Sequence, residues 1–165
     1  MMKKLMMLLG CAVLLCGCTK SNIVQNQSAG PDFNVPEVVE IDWNQVGEGI
    51  EEEYTNTDDY PVSSGIAFHA DDEKKEFNLN LIVVSDADKA EIAEYADLVI
   101  KAFNDEISIQ NPHYEVSGGQ SYGGFFEKYT LNLVILPEET PEDESTAILK
   151  KTIPADSEYQ MLVIE

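Results

Sequence analysis

Phe77-Asn78-Leu79-Asn80-Leu81-Ile82-Val83-Val84 puts an apolar side chain at every second position, then turns apolar on both sides. Successive strand side chains point to opposite faces, so Phe77, Leu79, Leu81 and Val83 share the face of a sheet that looks into a core. The doubly apolar end demands neighbours all round, which a central strand has and an edge strand lacks. Further on, Tyr129-Thr130-Leu131-Asn132-Leu133-Val134-Ile135-Leu136 repeats the pattern position for position. The echo predicts two similarly placed inner strands and is too short to establish a duplication.

Between these runs, residues 87–108 carry Ile92, Ala96, Val99, Phe103 and Ile107 at steps of three and four. That spacing makes one apolar stripe on a long helix, with Glu91, Glu94, Asp97 and Lys101 mainly outward. Ser85, Asp86 and Asp88 offer a cap and an acidic first turn, and Pro112 stands just past the far end. A strand–helix–strand passage within one sheet predicts a right-handed crossover.

Upstream, Ile66 and Phe68 alternate with Ala67 and His69, and the polar run 71–75 joins them to the first strand as a hairpin. Asp42 can cap a short N-terminal helix with Trp43, Val46, Ile50 and Tyr54 on one side, against which Gly47 and Gly49 weigh. Downstream, residues 137–144 form an acidic loop, and residues 147–153 and 159–164 are expected as two further strands around Pro154. The fold class expected is α+β: a mixed, mainly antiparallel sheet with one long helix packed on one face and a short helix before it.

Ten basic residues face thirty-one acidic ones, a net charge of −21, and every basic residue is Lys. Nucleic acid needs a concentrated basic footprint, so it is excluded as a partner. Anionic lipid headgroups are repelled, and the bidentate Arg clamp for phosphate or carboxylate is missing. Such charge favours solubility, cations or a basic partner.

The N-terminus carries Lys3 and Lys4, an apolar run from Leu5 to Leu15, then Cys16-Gly17-Cys18. The run is shorter than the roughly 20 residues that span a bilayer and follows the plan of an export signal. Leu15-Cys16-Gly17-Cys18 resembles the lipobox of bacterial lipoproteins, with Cys16 where that family more often has Ala, Ser or Thr. The resemblance covers only the first 18 residues. It implies a signal peptide over 1–17, lipidation at Cys18, and a protein held by acyl chains outside the cytoplasm. An earlier site at Gly10-Cys11 leaves too short an apolar stretch before it. Cys11 and Cys16 fall in the removed part, so the exported domain has no disulfide and no thiol chemistry. Residues 18–37 read as the lipidated cysteine and a flexible tether, and residues 38–165 as a single domain.

His69-Ala70-Asp71 puts a nitrogen and a carboxylate on one strand face, and His113 follows Pro112, but neither gathers the three or four ligands zinc takes. Asp86-Ala87-Asp88 opens like a calcium loop, yet its sixth and twelfth positions are Glu91 and Asp97 where such a loop needs Gly and Glu. The acidic runs 71–73 and 138–144 read as solvated turns. Gly118-Gly119-Gln120-Ser121-Tyr122-Gly123-Gly124-Phe125 reads in two ways: a flexible, bulged lead-in to a strand, or a recognition loop displaying Tyr122. No nucleophile elbow and no His-Glu-x-x-His motif occurs. The expected role is a non-catalytic binding module of the cell envelope needing no cofactor and no metal, with a protein or envelope component as partner. A calcium-responsive protein is the alternative.

Overall fold

The computed structural model describes residues 39–165, and the expected signal peptide, Cys18 and tether lie outside the described residues. Asp42 accepts from the backbone N–H groups of Asn44 and Gln45, both at 3.1 Å, and so caps helix α1 (Trp43–Tyr54). The two glycines do not break it. A Cβ on Gly47 would stand 3.0 Å from the Phe68 ring, so this glycine lets the helix lie close on the next element. After Thr55 the chain turns and enters β1 (Ser63–Asp71), which a tight turn joins to β2 (Glu76–Val83). In that turn the Asp71 carboxylate accepts from the N–H groups of Glu73 and Lys74, while Lys75 takes a left-handed φ of 56°.

Helix α2 (Lys89–Gln110) starts at Asp88, whose side chain accepts from the Ala90 N–H at 2.8 Å. It leads to β3 (Thr130–Pro137), and a short 3-10 turn (Glu144–Thr146) precedes β4 (Leu149–Ile153). The sheet order is β1-β2-β3-β4: the outer pairings are antiparallel and the central β2–β3 pairing is parallel. The α+β expectation holds, and the doubly apolar β2 sits in the interior of the sheet. β3 pairs Leu131 with Phe77 and Leu133 with Leu79, two residues out of phase with the echo in sequence. A shift of two keeps every side chain on its face, so the pattern could not reveal it.

Both helices cover the face made by Phe77, Leu79, Leu81 and Val83 of β2 and Leu131, Leu133 and Ile135 of β3. Phe77 and Phe103 meet edge to face at 5.1 Å, and Trp43 lies 6.1 Å from Phe77. Gln110 at the end of α2 brackets the start of α1, accepting from the Asp42 N–H at 2.7 Å and donating to its carbonyl at 3.3 Å. On the opposite face Thr152 donates to Asn132, which donates to Asn78, a polar ladder across three strands.

Two expectations are corrected. Residues 159–164 form no strand: the chain turns at Pro154, with Asp156 at φ 57°, leaves the sheet edge and runs along α2. Its alternation records burial of Leu162 against the helix layer, not pairing in the sheet. The glycine stretch is also not a bulged lead-in: β3 begins at Thr130, and the register shift falls between Ser63 and Gly65 of β1. No described helix is long and apolar enough to cross a membrane.

Candidate binding cleft

The loop between α2 and β3 is held by two consecutive side chains of the helix. Asn104, fully buried, accepts from the Phe125 N–H at 2.9 Å and donates to the Glu115 carbonyl at 3.0 Å. The next residue, Asp105, accepts from the Ser117 N–H and from its hydroxyl at 2.8 Å. A buried amide that meets backbone groups of Glu115 and Phe125 ties those two parts of the loop to the helix. Gly123 lies over Asn104 with φ +97°, and a Cβ there would stand 2.0 Å from the amide nitrogen. Gly124 donates to the Glu115 carbonyl at 2.9 Å.

This changes the reading of the glycine stretch as a displayed loop. Gly118 and Gly119 are exposed at a small turn closed by the Gly118–Ser121 bridge, whereas Tyr122, Gly123, Gly124 and Phe125 are buried. Tyr122 is only 6 % exposed and donates its hydroxyl to the Gln160 carbonyl at 3.2 Å. Gly123 lets the loop approach α2 and Gly124 lets it approach its own backbone at Tyr114 and Glu115, so the second half of the stretch is packed and only its first glycines are displayed.

The C-terminal segment closes the other side. Tyr159 donates to both Asp97 carboxylate oxygens at 3.0 and 3.1 Å, and Lys101 pairs with Asp97 at 2.8 Å. Tyr122 and Tyr159 meet edge to face at 4.9 Å, and the Lys101 ammonium stands 4.6 Å from the Tyr159 ring centre. Burial disfavours the charge on Lys101, but hydrogen bonds to Asp97 and Tyr159 outweigh it and raise its pKa. Burial and the Asp97 charge push the Tyr122 phenol far above its ordinary value, so it stays a neutral donor.

Above this pinned floor lie three adjoining hollows of about 230, 200 and 630 Å³. Tyr122, Ile153, Ser157, Glu158 and Tyr159 recur among their walls, with Gly119 and Gln120 on the loop side and Lys151 on the strand side. Sharing these walls, they mark a cleft bordered by the loop, the end of β4 and the C-terminal segment. Its aromatic floor, with amide, hydroxyl and carboxylate groups along the sides, suits binding by shape and hydrogen bonds. Sequence reasoning reached Gly119, Tyr122 and Gly123 but missed Asp97, Asn104 and Tyr159. Asp97, expected to face mainly outward, is corrected to a buried position at 9 % exposure, and Asn104 beside Phe103 is fully buried.

A separate hollow of about 540 Å³ opens beside Ile41 and Trp43. Lys75 donates to the Tyr129 hydroxyl at 2.9 Å, and that hydroxyl donates to Asp72. Burial and then Asp72 raise the Tyr129 pKa, which makes the phenol a donor and not a base.

The remaining candidates are dispersed. His69 is exposed on β1 opposite Asn78, and His113 is exposed in the loop with its N–H donated to the Asn111 side chain at 3.1 Å. Asp71 pairs with Lys74, and Asp143 accepts from Ser145. Asp88 is the helix cap. Among the described residues no three His, Cys, Asp or Glu side chains gather as a metal ion requires. No protein family, no curated protein and no solved structure matches this chain.

Proposed function

We propose that the chain is a membrane-anchored extracytoplasmic lipoprotein, held by lipid on Cys18, whose folded part is a non-catalytic binding module of the cell envelope. The observation that carries the binding role is the cleft over the Tyr122–Tyr159–Asp97–Lys101 cluster, whose floor is fixed before any ligand arrives. A preorganised floor lowers the ordering cost of binding. Titratable groups there are held as donors and ion pairs, which suits recognition better than proton transfer. The anchor rests on the Leu15-Cys16-Gly17-Cys18 stretch.

Two measurements test the two halves separately. Mass spectrometry of the N-terminal peptide should find a diacylglyceryl thioether on Cys18 and no residue before it; a bare thiol or a retained leader rejects the anchor. A photo-crosslinking side chain at Gln120, on the cleft wall, should capture a discrete envelope component in intact cells. The same probe at exposed Glu52 on α1 should not, and equal capture at both positions rejects the cleft.

A further inference from the structure

A second groove, of about 300 Å³, runs between residues 59–62 and the outer side of α2. Its floor is aromatic and braced. Tyr60 lies 5.2 Å from Tyr54 and 5.9 Å from Tyr95, and the Tyr95 hydroxyl is shared with Ser63 at 2.7 Å and the Tyr54 carbonyl at 2.9 Å. Val62 and Pro61 form one wall and Leu98, 40 % exposed, the other. Three carboxylates, Asp59, Glu91 and Glu94, border this apolar floor. Glu91, Glu94 and Leu98 fall at helical spacing on one side of α2, so charge and apolar surface meet along a single line. Among the described residues none of the three acids forms an ion pair.

We propose that this groove docks a short cationic peptide segment of a partner protein. One apolar side chain seats over Tyr60 and Leu98, while flanking Lys or Arg groups pair with Asp59, Glu91 and Glu94. Charge decides the occupant. An apolar ligand without cations would strip water from three carboxylates and give nothing back. A second copy of this chain brings a net charge of −21 against the same rim, and an anionic lipid surface is repelled likewise. A basic segment is drawn in by the whole field of the molecule and held by the groove. Docking here requires neither the anchor nor the cleft over Tyr122 and Tyr159.

The test uses the full chain in detergent micelles and a fluorescent hexapeptide with a central Leu-Phe pair between paired lysines, followed by anisotropy at low salt. Glu91→Gln with Glu94→Gln should weaken binding about tenfold. Leu98→Ser, at an exposed position, should weaken it several-fold, and added salt should weaken the wild-type complex. Equal losses from Glu48→Gln with Glu73→Gln, both exposed and neither lining the groove, would show mere attraction to an acidic protein and overturn the proposal. So would undiminished binding of a peptide with glycines for its apolar pair, or of one with glutamates for its lysines. Self-association of the chain that Leu98→Ser abolishes would assign the groove to a second copy and overturn it too.

Discussion

Asn104 and Gly123 form the tightest contact between helix and loop, and each depends on the other. The amide needs a neighbour with no side chain, and the φ of +97° needs glycine in any case. Gly123→Ala should therefore cost about 2–4 kcal/mol, whereas Gly118→Ala, with open space around it, should stay within about 0.5 kcal/mol. Urea unfolding of the two variants checks this, and equal midpoints would refute the contact. The tyrosines give a second residue-scale prediction. Burial pushes Tyr54 up to about 12, and raises Tyr122 and Tyr129 as well. A phenol with a raised folded pKa contributes stability that is intact below the unfolded value near 10 and lost as pH climbs through the folded one. The unfolding midpoint should thus be level just below pH 10 and fall steadily above it. Absorbance titration of the phenols should show a fraction ionising late; a single ordinary transition for all of them would contradict the buried geometry.

At the scale of elements, the C-terminal segment is the informative one. Residues 159–164 carry the alternation of a strand and make none of its pairings, because their partner is a helix face. Leu162 is 2 % exposed beside Met161 at 65 % and Val163 at 70 %. Leu162→Ala should destabilise by about 2–4 kcal/mol, and Val163→Ala by no more than about 0.5 kcal/mol. Denaturant midpoints decide it, and comparable effects would mean the segment is not seated as described. Asp88 and Asp42 illustrate the opposite case. A cap acts within three residues of itself, so Asp42 could be read from the chain alone, while of Ser85, Asp86 and Asp88 it is Asp88 that caps α2, which starts two residues later than expected.

At the scale of the whole molecule, thirty-one acids against ten lysines leave a field that opposes compaction. Raising ionic strength from about 0.01 M to about 0.1 M shortens the screening length from roughly 30 to 10 Å. The melting temperature should rise, by roughly 4 °C for a gain of about 1 kcal/mol. A flat or falling melting temperature over that range would show that the acids are balanced locally by pairs that the fold does not display.

The sequence by itself determined whatever depends on neighbours a few residues apart: the strand faces of β1, β2 and β3, the apolar stripe of α2 and the hairpin turn. Such features follow from period and local chemistry, which a linear pattern carries in full. Tertiary structure alone decided that β2 and β3 pair two residues out of phase with their echo, since a shift of two changes no face. It alone decided that the last segment lies on a helix, because alternation reports a buried side and not what buries it. The cleft was only half legible for the same reason. Tyr122 stood out among its glycines, but Asp97 and Tyr159 lie 62 residues apart, and nothing local announces a hydrogen bond across that distance.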